Sequence, residues 1–79
     1  MNTELTNNQV FGGQRDLGFR FESNGGTATL QFQKSDGSWV NESGTDQSTA
    51  DMLFRLDLFT DQKYRWVITG SAKMYREPK

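Results

Sequence analysis

The chain has 79 residues, with nine Lys and Arg against ten Asp and Glu, a net charge of −1 and an apolar fraction of only 33%. That length supports one domain with a thin core. Neither Cys nor His occurs, which excludes disulfides, thiolate zinc sites and the commonest transition-metal ligand.

Small scaffolds without those aids recover stability by assembling or docking on something larger. The near-neutral balance gives no basic patch, so no nucleic-acid partner is expected. No apolar run approaches membrane length, so no membrane association is expected either. The opening MNTELTNNQ lacks a charged start and an apolar stretch, and is read as carrying no secretory signal.

Residues 1–14 are rich in Asn, Thr, Gln and Gly, with Leu5, Val10 and Phe11 as the apolar exceptions. They read as an N-terminal arm, either flexible or ordered against a neighbouring subunit through Val10 and Phe11. Residues 15–79 read as the folded domain.

From Leu17 the pattern has period two. Leu17, Phe19 and Phe21 share one face, and Gly18, Arg20 and Glu22 the other. Asn24-Gly25-Gly26 is a turn, and in TATLQFQ the residues Ala28, Leu30 and Phe32 again share a face. Two alternating runs across a short Gly-rich turn predict an antiparallel hairpin. Ser35-Asp36-Gly37 is a second turn, and SWVN after it a short strand with Trp39 or Val40 inward.

Residues 41–49 form a polar loop. Met52 to Phe59 reads two ways. As a strand it turns Met52, Phe54, Leu56 and Leu58 inward; as a helix it would be capped by Ser48 and Asp51. Four apolar residues in alternating register favour the strand. KYRWVITG is a strand rich in β-branched and aromatic residues, and AKMYRE is a last one. The expectation is an all-β fold, a small antiparallel β-sandwich or barrel of about six short strands with an extended N-terminal arm.

Chemistry is sparse. Nucleophilic catalysis needs an activated nucleophile and a base, and without Cys or His nothing sets up a Ser. Asp46, Asp51, Asp57 and Asp61 lie in or beside loops, where Asp ordinarily serves turns and caps. The chain is therefore read as no enzyme, with no cofactor and no metal. Trp39, Trp66 and Tyr75 are candidate stacking platforms for sugar rings; for at least one Trp, the core is the better place. Aromatics beside Arg20 and Arg65 also fit single-strand nucleic-acid platforms, against which the acidic balance speaks. Leu53, Phe59, Val67 and Met74 fall on or near the face opposite the inferred core, and with Val10 and Phe11 they are the candidate interface residues.

The succession GFRFESNGGTATLQFQKSDGSWV, an apolar strand, then KYRWVITGSAKMY resembles small β-sandwich structural proteins of tailed-phage virions. The pattern is carried by Gly25-Gly26, Thr27 to Gln33, Asp36-Gly37 with Trp39-Val40, and Tyr64-Arg65 through Thr69-Gly70, across residues 17–76. The resemblance implies a virion component of the head-decoration, fibre or adaptor type. Such a subunit docks by surface complementarity on the major capsid or another virion protein, forms a homo-oligomer (a trimer is the expected number), and carries no catalytic residues. The alternative is a carbohydrate- or receptor-binding β-module associated with a fibre or tail.

Overall fold

The computed structural model describes residues 3–42 and 50–77. They form eight strands: β1 (Thr3–Leu5), β2 (Val10–Gly12), β3 (Leu17–Glu22), β4 (Ala28–Gln33), β5 (Trp39–Asn41), β6 (Met52–Leu56), β7 (Lys63–Ile68) and β8 (Lys73–Glu77). Two four-stranded antiparallel sheets pack face to face, the first in the order β1-β8-β3-β6 and the second in the order β2-β7-β4-β5. The small all-β sandwich expected from the alternation is what the chain forms. Met52–Leu56 is a strand, which removes the helical alternative.

The strand pairs β1–β8, β2–β7, β3–β6 and β4–β5 are those of one long hairpin with four strands in each arm. Rolled up, that hairpin gives the eight-stranded jelly-roll arrangement. Every connection except β4–β5 therefore passes from one sheet to the other.

Two expectations are corrected. The stretch 1–14 is not an arm apart from the domain, because its residues 3–5 and 10–12 are an edge strand of each sheet. Leu5 and Phe11 are the reason: both are buried, Leu5 in register with Met74 and Phe11 with Tyr64. Nor do β3 and β4 form a hairpin. They lie in opposite sheets, so Leu17, Phe19 and Phe21 face Ala28, Leu30 and Phe32 across the core instead of lying beside them.

The turn itself is of hairpin type. Asn24 and Gly25 have φ of 45° and 83°, and the Gly26 amide donates to the Ser23 carbonyl at 2.7 Å. The strands part just beyond it, because Thr27 bonds to the end of β7 rather than to β3. The Thr27 amide donates to Thr69 Oγ1 at 3.0 Å, the two hydroxyls meet at 2.7 Å, and the Thr69 amide donates to the Thr27 carbonyl at 2.9 Å.

The β7–β8 connection makes a second arch against the first, with the Asn24 side-chain amide donating to the Ser71 carbonyl. A side chain at Gly26 would run into the Thr69 carbonyl and Ala72, so only glycine allows the two arches to touch. The arrangement lets one apolar row cover the other directly, as a two-layer fold requires.

The core between the sheets is aromatic. Trp66 lies at 0% exposure, with Phe19 and Phe54 set at 80° to its ring at centroid distances of 5.4 and 6.0 Å. Among the described residues its indole N–H has no hydrogen-bond partner, an uncommon state for a buried donor. Tyr64 is also buried, but its hydroxyl accepts the Phe59 amide at 3.1 Å and so ties the β6–β7 loop to the core.

Candidate functional site

Alternation leaves each sheet an outer face, and the two are chemically unlike. On the first sheet the register sets Glu4, Tyr75, Arg20 and Leu53 in one cross-strand row. Flanking rows hold Lys73 with Glu22, and Glu77 with Gly18 and Arg55. Arg20 stacks 4.4 Å over the Tyr75 ring and reaches Glu22 at 3.5 Å and Glu77 at 3.8 Å. Arg55 pairs with Asp16. Three carboxylates, Glu4, Glu22 and Glu77, thus stand on one face with three cations, Arg20, Arg55 and Lys73. Cross-strand pairs of opposite charge make this a neutral, well-hydrated surface.

The second sheet presents Val10, Arg65, Gln31 and Asn41 in one row. Beside it lie Lys63, Gln33 and Trp39 on one flank and Val67 with Thr29 on the other. Arg65 Nε donates to Gln31 Oε1 at 2.8 Å, and Gln31 Nε2 donates to Asn41 Oδ1 at 2.9 Å. The Arg65 guanidinium stacks 4.4 Å over Trp39. No outward position of these four strands carries a carboxylate. The face is amide, aromatic and aliphatic, with two cations.

The candidate interface residues do not gather on one surface. Val10 and Val67 belong to the second sheet's outer face. Leu53, 71% exposed, sits on the first sheet's outer face at its edge strand, and Phe59, 75% exposed, sits on the β6–β7 loop. There a shallow hollow of about 270 Å³ is lined by Phe32, Glu42, Phe59, Gln62 and Tyr64. Phe11 and Met74 are corrected to core residues, at 7% and 0% exposure. Met74 pairs with both Phe21 and Leu5, so the alternation of β8 turns it inward.

Among the candidate sugar platforms, Trp66 is buried and cannot meet a ligand. Trp39 and Tyr75 each have one ring face already stacked against a guanidinium. Two of the loop aspartates serve backbone groups: Asp51 Oδ1 accepts the Ser23 amide at 2.9 Å and Asp57 Oδ1 the Asp16 amide at 2.7 Å. Asp46 lies outside the described residues. Asp36 closes the β4–β5 turn by accepting from the hydroxyl and amide of Ser38, and these bonds hold its carboxyl below the ordinary Asp range.

A second region escapes a reading of the sequence. Where β1 and β2 end the two sheets, a cleft of about 470 Å³ opens between them. Its apolar lining is the buried Leu5 and Phe11 with the exposed Val10 beside them, and its polar lining comes from Thr3, Gln9, Gln14 and Arg76. Arg76 shares the inward face of β8 with Met74, in register with Phe19 and Thr3. The alternation of KMYRE carried that signal; it is masked when Met74 is assigned to the outside.

Comparison of the chain with protein-family models, with curated proteins and with solved structures finds no match.

Proposed function

We propose that the chain is a non-enzymatic structural subunit of a phage virion, a decoration or stabilising protein seated on the capsid or another virion protein. The observation that carries this is the contrast between the outer faces. Interface cores lose carboxylates and collect aromatic residues and Arg, which is the composition of the second sheet's face around Trp39 and Arg65. The jelly-roll arrangement is one used by capsid and lectin domains, an analogy of fold and therefore secondary. The resemblance across residues 17–76 points the same way. A homo-oligomer, with a trimer as the expected form, would also cover part of a thin domain's surface.

The test is co-sedimentation of the purified chain with phage particles that lack it, together with mass spectrometry of native particles. Saturable binding is expected, weakened at least ~10-fold by Arg65→Glu, an effect of about 1.4 kcal/mol. Leu53→Ser on the opposite face should bind as the parent chain does. Absence from native particles together with no co-sedimentation would overturn the reading.

The carbohydrate-binding alternative keeps one supporting observation, the planar amides of Gln31, Gln33 and Asn41 beside Trp39 on the same face. Glycan-array binding abolished by Trp39→Ala would favour it, and a silent array would remove it.

A further inference from the structure

We infer that the cleft between β1 and β2 is a binding site for an extended acidic peptide segment, with Arg76 as the residue that receives its carboxylate. The inference is separate from the docking face proposed above and stands or falls independently of it.

Arg76 is half-buried on the inward face of β8, an uncommon place for a charged group. Here Arg76 Nη2 donates to Gln14 Oε1 at 2.8 Å. Among the described residues no carboxylate pairs with it. Its sequence neighbour Glu77 is turned to the other face of the sheet and is engaged by Arg20. Glu4, next to Thr3, is outward as well, in register with Tyr75. The cleft therefore holds a guanidinium with one neutral acceptor, beside apolar residues, with no acidic residue in its lining.

A planar guanidinium with free donors matches a carboxylate bidentately. The apolar lining matches the side chains on either side of that carboxylate. The volume lies within the range of ligand sites with a few convergent polar groups. What favours a peptide over a small acid is the frame: the cleft is bounded by the edge strands of both sheets. Among the described residues no strand neighbours their outward backbone groups, which can accept an extended segment by strand addition.

The experiment is an amide and side-chain NMR titration of the full chain. The probes are a blocked pentapeptide, Val-Thr-Glu-Val-Thr, its twin with Gln in place of Glu, and hexanoate. The acidic peptide should shift the Arg76 Nε–H, the Gln14 side-chain amide and the backbone amides of Leu5 and Phe11 saturably. Its twin should bind at least ~10-fold more weakly, about the range of a charge-assisted hydrogen bond. Arg76→Gln should erase that preference. The twin comparison uses the unaltered chain, so it decides the matter even where Arg76→Gln fails to fold. Equal binding of both peptides, or no shifts at these groups, overturns the proposal; hexanoate binding as tightly as the acidic peptide overturns its peptide occupant.

Discussion

The outer faces of the two sheets share a core, a strand count and even a motif, an Arg stacked on an aromatic ring at the same 4.4 Å. What surrounds that motif differs. On the first sheet Arg20 is flanked by Glu22 and Glu77; on the second, Arg65 is flanked by the neutral Gln31 and, beyond it, Asn41. A charge that is already balanced gains little from a partner. A cation held among amides and aliphatics keeps its capacity to pair, and desolvating its neighbours costs less than desolvating carboxylates. One fold thus supports a face for water and a face for contact, decided by a few outward positions.

Both faces rest on one core, and the largest effect on the two together should come from damaging that core. Trp66→Ala should cost about 3–5 kcal/mol, a large part of the stability of a domain this size, and should disorder both faces together in urea unfolding followed by NMR. Trp66→Phe should cost far less, because the indole N–H it removes has no hydrogen-bond partner among the described residues. Unfolding of one face alone would break the comparison.

Gly26→Ala is expected next, at about 1–3 kcal/mol, since the added Cβ must displace the Thr69 carbonyl or Ala72. Its signature should be loss of amide protection at Thr27 and Thr69 ahead of the sheet centres.

Smaller effects separate the faces. Glu77→Gln on the first sheet should change stability by less than ~1 kcal/mol, because its ion pair is partly exposed, and the change should shrink further in high salt. Gln31→Ala on the second should cost about 1 kcal/mol with little salt dependence, as expected for hydrogen bonds among amides and one cation. A large salt-sensitive effect at Gln31 would mean that the second face is as ionic as the first.

Smallest is Asp36, which belongs to neither face. Its lowered carboxyl pKa means that the β4–β5 turn is supported above the ordinary Asp value. The support is lost as pH falls through the folded-state value. Carboxyl NMR titration should show that depressed pKa, and Ser38→Ala should raise it.

Much of this was legible in the sequence, and the failures have physical causes. Alternation reports which side of a strand is apolar, so β3 through β8 and most inward residues follow from it. It does not report which sheet a strand joins. An arch and a hairpin share the same string of apolar row, Gly turn and apolar row; what distinguishes them at Gly26 is a contact with Thr69, 43 positions away. The short β1 and β2 failed differently. Three-residue strands show no period, and here each buries a single residue, Leu5 or Phe11, beside exposed neighbours. The Arg76 cleft was hidden with them, since one wall is β1 and the other β2.

The pairing of β1 with β8 also bears on how the molecule is made. Thr3 lies opposite Arg76, so during synthesis β1 waits for β8 before the first sheet can close. Domains emerging from a ribosome ordinarily begin to fold in order. The second sheet can be completed only once β7 is made, and the first only once β8 follows. Folding to the final sandwich is thereby deferred until β8 is available.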